Sequence, residues 1–128
     1  FIPARIGGCL MVVSAGIAQL AEKCNTKDKT NSHYSIGNAW KIFKSDRKKH
    51  SSPNAAQTES ACAGALKVAL SGDNYYFGKL VHKPQIGEAI RPLEAGDIGR
   101  SNILLYITAF LMVIIVLLIR LIIMLAVR

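Results

Sequence analysis

The chain has 128 residues, 51% of them hydrophobic, with 16 Lys/Arg against 8 Asp/Glu and a formal net charge of +8. Charge and hydrophobicity are segregated along the sequence, which argues against an ordinary soluble globular domain. Cys9, Cys24 and Cys62 offer neither a paired count nor a C-x-x-C spacing, which argues against a disulfide framework and a structural zinc site.

In chain order, the first element is an apolar stretch from Phe1 to Ala21, interrupted by Arg5 and rich in Gly7, Gly8, Ser14, Gly16 and Ala18. Small residues let helices approach closely in a bilayer, so residues 1–21 are predicted to form a membrane-embedded helix packed among helices outside this chain. The chain starts at Phe1 rather than Met, in keeping with a fragment.

Residues 22–102 carry 13 of the basic residues and all 8 acidic ones. Lys23, Lys27 and Lys29 follow the first helix, where positive charge favours the cytoplasmic side. The polar run Asn25–Ser32 reads as a linker. Ile36, Trp40, Phe43 and Arg47 then fall at helical spacing, with Lys41, Lys44 and Lys48 on other faces. Such an amphipathic helix lies at a membrane interface or packs on the loop's own core. Ser45–His50 (SDRKKH) is a charge cluster whose usual fate is solvation. No nucleic-acid module accompanies the charge, so nucleic acid is not an expected partner.

A helix is predicted from about Ser52 to Leu66, with Ser52 or Asn54 as its cap, Pro53 in its first turn and Gln57 completing a capping box. It is built almost wholly of small residues. Glu59 is the only charge between His50 and Lys67. It either favours the helix dipole or joins His50 and the helix-start amides in phosphate, metal or proton-transfer chemistry. Ser71–Asn74 reads as a turn, Tyr75–Lys79 as β-prone, Lys83–Gly87 as a second turn, and Asp97 as the cap of the last helix. From Ile103 to Ile119 there is no charge, and the apolar run resumes after Arg120 through Val127. That is long enough to span a membrane and too far from the N-terminus for a signal peptide. No P-loop, dinucleotide fingerprint or nucleophile elbow occurs.

The predicted fold is mainly α, a multi-pass membrane protein fragment. Two hydrophobic helices, residues 1–21 and 103–128, flank a basic, mostly helical cytoplasmic loop, residues 22–102.

Three blocks carry a more specific signal: FIPARI, SDRKKHSSPNAAQTESACAGAL, and GDNYYFGKLVHKPQIGEAIRPLEAGDIGRSNILLY. In order and spacing they resemble the C-terminal portion of the cobinamide-phosphate synthase family of cobalamin biosynthesis. The resemblance runs from Phe1 to about Tyr106. Ser51, Ala56, Gln57-Thr58 and Ser71 depart from it, standing where the family carries Pro, Gly, an aromatic-Pro pair and Gly.

The resemblance implies a ligase-type enzyme of the inner cell membrane. Aminopropanol, or its phosphate, would be joined by an amide to a propionate of adenosylcobyric acid, with ATP and Mg²⁺, giving adenosylcobinamide or its phosphate. His50 and Glu59 would be catalytic, Glu59 also being the candidate Mg²⁺ ligand. Asp46, Arg47 and Lys49, with Lys48, would meet phosphate; Ser52, Pro53, Asn54 and Gly64 would orient the ligand. Gly72, Tyr75, Tyr76, Gly78 and Lys79 would line the corrinoid or phosphate pocket. The other expected partners are the lipid bilayer and the missing N-terminal helices, without which the fragment is expected to be inactive. The competing readings are a non-catalytic membrane sensor relative and a corrinoid-binding transport component.

Overall fold

Small residues make the first helix a hub. The computed structural model describes residues 2–26, 32–50, 52 and 54–127. Helix α1 runs Ile2–Asn25, past Ala21, and ends with Lys23 in its last turn, where a cation suits the helix dipole. A Cβ on Gly8 would stand 2.5 Å from the Phe43 ring and 2.9 Å from the Gln57 carbonyl oxygen; one on Gly16 would stand 2.7 Å from Ile36. The small face of α1 is therefore filled by helices of this chain, where helices outside it were expected. Its other face leaves Ile2, Ile6, Val13, Ile17 and Leu20 exposed.

Helix α2 (Ile36–Asp46) starts at Ser35, whose hydroxyl accepts from the Asn38 amide at 3.3 Å. It buries Ala39, Ile42, Phe43 and Asp46. The aromatic stripe read from the sequence persists, the Trp40 and Phe43 rings lying 5.9 Å apart, but its burial is graded: Phe43 is 1% exposed in the core and Trp40 is 48% exposed at its edge. Helix α3 (Ala55–Leu66) crosses α2 at Gly64, whose Cβ would stand 2.6 Å from the Asn38 carbonyl oxygen and 2.9 Å from the Ala39 Cα. Asn38 Nδ2 donates to the Gly64 carbonyl across that contact at 2.9 Å.

The expected capping box at the start of α3 does not form. Asn54 is the N-cap residue but makes no side-chain cap bond. Gln57 Nε2 donates to the Arg47 carbonyl at 3.2 Å, tying α3 to the end of α2. Pro53 lies outside the described residues, as do Lys27 and Lys29 and most of the predicted linker.

Between α3 and the last helix the chain forms a ladder of four short strands. β1 (Leu70–Ser71) pairs antiparallel with β4 (Gln85–Ile86), Leu70 opposite Ile86. β2 (Asn74–Tyr76) pairs antiparallel with β3 (Lys79–Val81), Tyr75 opposite Leu80 and Tyr76 opposite Lys79. Phe77 and Gly78, both at positive φ (50° and 78°), make the two-residue turn that a right-twisted hairpin favours. Ser71 also sits at φ 62°, a conformation that disfavours any residue with a Cβ. Ser71→Gly, which restores the residue of the resembling family, is expected to stabilise the chain by about 0.5–1 kcal/mol. A chemical-denaturation midpoint in detergent reads this directly, and an unchanged or lowered midpoint would refute it.

Helix α4 (Gly96–Ala126) follows Ala95 as its N-cap residue. Asp97 is thus not the cap: it lies inside the first turn, and its role is described below. The buried residues of α4 are Asp97, Leu104 and Thr108. Midway along the α1–α4 contact, Ser14 Oγ and Thr108 Oγ1 lie 2.9 Å apart. Each hydroxyl also reaches its own helix, Ser14 the Leu10 carbonyl at 2.8 Å and Thr108 the Leu104 carbonyl at 2.7 Å. Two hydroxyl protons serve three contacts, so one residue bonds its own backbone while the other bonds across.

Candidate functional site

The segment from the end of α2 to the second turn of α3 gathers most of the expected site residues. Asp46, whose side chain is 4% exposed, accepts from Lys49 Nζ at 2.8 Å and from the Gly87 amide at 2.9 Å. Burial pushes its carboxyl up, but the Lys49 ammonium, the Gly87 amide and Ser45 together hold it below the ordinary carboxylate range. A side chain at Gly87 (φ +89°) would collide with the Val68 carbonyl, so the glycine lets the ladder dock here. Asp46 and Lys49 therefore clip the strand ladder to α2.

Because the folded carboxylate of Asp46 holds its proton less tightly than the unfolded one, its contribution is complete above the unfolded pKa of about 3.9. It falls away as pH drops through the lower folded value. Asp46→Asn is expected to flatten the acid limb of the stability–pH profile while costing about 1–2 kcal/mol at neutral pH. An acid limb as steep as that of the parent chain would refute the assignment.

Of the neighbouring cations, Arg47 stacks over the Phe43 ring at 5.5 Å. Lys48 has no partner among the described residues, which leaves it the free positive charge of the cluster. His50 Nδ1 accepts from the Ser52 amide at 2.9 Å. A neutral imidazole that accepts at Nδ1 carries its proton on Nε2, so His50 presents an N–H donor. Glu59, half-buried on α3, has no hydrogen-bond or ion-pair partner among the described residues. The start of α3 lies beside α1, with Thr58 Cγ2 3.6 Å from the position a Cβ would take on Gly7.

Two expectations divide here. Gly64 does not line a ligand surface: it is buried, and its missing side chain makes room for the backbone of α2. The hairpin residues stand apart from the His50–Glu59 segment. Tyr75 and Tyr76 are 71% and 45% exposed, and a Cβ on Gly72 or Gly78 would meet nothing within 4 Å. Lys83 Nζ lies 4.5 Å from the Tyr76 ring centroid and donates to its hydroxyl at 3.1 Å. Among the described residues no group of three or more His, Cys, Asp or Glu could hold a metal ion. Glu59 supplies one unpaired carboxylate, which suits Mg²⁺ where phosphate oxygens and water complete the shell.

Sequence reasoning missed a second charged cluster, at the start of α4. The Asp97 carboxylate, 4% exposed, accepts from Arg91 Nη2, from Arg91 Nη1 at 2.9 Å, from Arg100 Nη1 at 2.8 Å and from the Glu94 amide at 2.9 Å. Arg91 Nε also donates to the Leu66 carbonyl at 2.9 Å, closing the end of α3. Asp97 lies ahead of the apolar run, and the Arg91 guanidinium, with the Glu94 amide and Arg100, holds its carboxyl far below the ordinary range against the effect of burial. The spacing of Asp97 and Arg100, one helical turn, was the legible signal. Arg91 came from an irregular segment and had none.

A cavity of about 430 Å³ opens beside this cluster, lined by Cys62, Leu66, Leu70, Leu93, Asp97 and Ile98 among others. Burial, and then the charge of Asp97, push the Cys62 thiol up to about 11, so it stays protonated and unreactive. At the end of α1, Glu22 takes His33 Nδ1 at 2.5 Å and the Ser32 hydroxyl at 2.6 Å.

The chain matches the family described as CobD/CbiB protein over residues 1–105. It is 44% identical over 120 residues to the cobalamin biosynthesis protein CobD of Clostridium perfringens, covering 94% of this chain and 34% of that protein. With the protein of the same name from Desulfotalea psychrophila it shares 48% over 87 residues, 68% of this chain and 26% of the relative. With the cobalamin biosynthesis protein CbiB of Salmonella paratyphi A it shares 36% over 111 residues, 87% and 30% of the two chains. It thus spans about a third of the length of the curated relatives it matches. No solved structure matches it. A chain aligned with this family through its first three helices, its strands and the start of α4 belongs to the CobD/CbiB family of cobalamin biosynthesis proteins.

Proposed function

We propose that this chain is part of a membrane-bound enzyme that forms an amide between aminopropanol, or its phosphate, and a propionate side chain of adenosylcobyric acid. The reading is supported by a donor and an acceptor carried by one segment at the start of α3, nine positions apart in sequence. His50 accepts the Ser52 amide at Nδ1, which in the neutral ring leaves Nε2 as the donor, and Glu59 is a half-buried carboxylate without a partner among the described residues.

Amide formation needs that combination. An amine attacks only as the free base, so a carboxylate must take its proton; the carbonyl oxygen gains charge as the bond forms, so an N–H donor must meet it. Glu59 fills the first role and His50 the second. Lys48 supplies positive charge for a phosphate, and Asn54 a side-chain amide free of capping duty. ATP with Mg²⁺ would supply the phosphoryl group that makes the carboxylate reactive and that leaves as phosphate when the amide C–N bond forms; with Glu59 engaged as the base, it is not counted among the metal's ligands. Arg47 and Lys49, being engaged with Phe43 and Asp46, position the segment rather than meet the phosphate directly.

The lipid bilayer is the proposed setting. Both α1 and α4 are long and apolar enough to cross a membrane. In the most apolar stretch of α4 none of the residues is buried, against 33% in α1. A bare helix of Leu, Ile and Val needs a lipid solvent, so α4 is the stronger candidate span. The excess of basic residues in residues 22–102 favours placing that segment on the cytoplasmic side of the inner membrane.

The test is made in a full-length protein containing this segment, by assaying cobinamide formation from adenosylcobyric acid. His50→Ala and Glu59→Ala are each expected to abolish conversion while leaving protein level and corrinoid binding in place. Wild-type conversion by both variants would sink the roles, and corrinoid uptake without conversion by the parent protein would favour a transport component.

A further inference from the structure

The strand ladder ends in a hairpin whose side-chain hydrogen bonds and ion pairs, among the described residues, stay within it. From Gly72 to Lys83, the side-chain contacts among the described residues are internal: His82 Nδ1 with Asp73 at 2.9 Å, Tyr75 with Asn74, and Lys83 with Tyr76. Yet its tip is apolar. Phe77 is fully exposed at the turn, Tyr75 and Tyr76 are 71% and 45% exposed, and Leu80 and Val81 are 46% and 36% exposed. Lys79 and Lys83 flank the aromatic residues. Five exposed apolar side chains on one hairpin are costly in water at about 25 cal/mol per Å².

We propose that this hairpin dips into the headgroup layer of an anionic bilayer, in place of the corrinoid-lining role implied by resemblance. Two further observations favour lipid as the occupant. The base of the hairpin sits where α4 begins its apolar run: Leu70 of β1 lines one cavity with Leu93, Ile98 and Ser101, just ahead of Ile103. The hairpin therefore springs from the level at which α4 enters the membrane. Its composition, Phe77 at the tip with Tyr76 and Lys79 level beside it and Lys83 further back, also complements the mixed polarity of a lipid surface: aromatic rings at the acyl boundary, lysine against phosphate. The hairpin then fixes the depth of the strand ladder, and through the Gly87–Asp46 bond that of the end of α2.

The inference rests on α4 being a span, and the experiment separates the two. Trp40 is the sole tryptophan, so a Trp40→Phe chain is a silent background. On it, Phe77→Trp reports the hairpin and Phe110→Trp reports α4; both positions are exposed and tolerate the change. The chains are reconstituted in vesicles of equal parts phosphatidylcholine and phosphatidylglycerol, with and without acyl-brominated lipid. Emission from position 77 is expected to be blue-shifted and quenched by brominated lipid, and adding Lys79→Glu with Lys83→Glu should remove that quenching in anionic vesicles. Quenching at position 110 with water-like, iodide-quenched emission at position 77 would overturn the hairpin proposal and leave the span standing. Water-like emission at both positions would overturn both. If cobyric acid shields position 77 from iodide while brominated lipid does not quench it, the hairpin is a substrate element and the proposal fails.

Discussion

Replacing Asp97 by alanine is expected to destabilise the chain by about 3 kcal/mol, the low end of the range for breaking a buried ion pair. The carboxylate is 4% exposed and serves two guanidinium groups and the Glu94 amide. Its removal strands these donors together. The cost stays at the low end because Arg91 and Arg100 remain 20% and 22% exposed and recover part of their hydration. Asp97→Asn keeps the shape and an acceptor oxygen, so its cost should be about half as large. The folded carboxyl is depressed, so its contribution is present above the unfolded pKa of about 3.9 and is lost as pH falls towards the folded value. The difference between parent and Asp97→Asn should therefore shrink as the solution is acidified below pH ~4. Denaturation midpoints in detergent across that range read both effects, and a parent-like midpoint for Asp97→Ala at neutral pH would show that the cluster is ornamental. Because Arg91 also closes α3 through the Leu66 carbonyl, amide exchange should quicken at the end of α3 as well as at the start of α4.

The second large effect is catalytic. In the whole enzyme, Glu59→Gln is expected to lower the rate of amide formation by about 10²–10⁴-fold, the usual contribution of a positioned acid–base group. The isosteric amide cannot take a proton from the amine, yet it should leave folding unchanged, since among the described residues Glu59 has no partner whose loss would be felt. His50→Gln is a sharper control: its amide N–H can still donate, so a donor role predicts partial retention where a base role predicts none. A Glu59→Gln enzyme with parent-like turnover would remove the carboxylate from the mechanism.

What the sequence made legible follows the range of the forces involved. Local pattern revealed α3, the final helix and the β-prone stretch, because small-residue composition, unbroken apolarity and turn chemistry act over a few neighbours. It failed where partners are distant. In the sequence Gly64 shows only that something comes close, which suits a ligand as well as a helix; in the fold it is α2 that comes close. The capping box at Asn54 and Gln57 satisfied the motif, but Gln57 finds the Arg47 carbonyl instead, a tertiary contact that outcompetes a local one. Trp40 and Phe43 share a stripe in the sequence and their rings stay 5.9 Å apart in the fold, but only packing decides that Phe43 is buried and Trp40 half exposed. Asp97 had the right residue type for a cap, yet irregular Arg91 draws it into a different role. The site segment was recognised as a string of residues, whereas the division of labour among its cations needed coordinates: Lys49 on Asp46, Arg47 on Phe43 and Lys48 free.

The Ser14–Thr108 contact also sets an order of events during synthesis. Its two hydroxyls are separated by 94 positions along the chain. At the usual elongation rate of about 5–20 residues per second, Thr108 emerges roughly 5–20 s after Ser14. Through that interval the hydroxyl of Ser14 has only its own Leu10 carbonyl to bond. Helices α2 and α3, which are made in between and fill the small face of α1, are free to assemble on it first. The last helix is thus the latest of the four to be made, and the paired hydroxyls mark its register on α1.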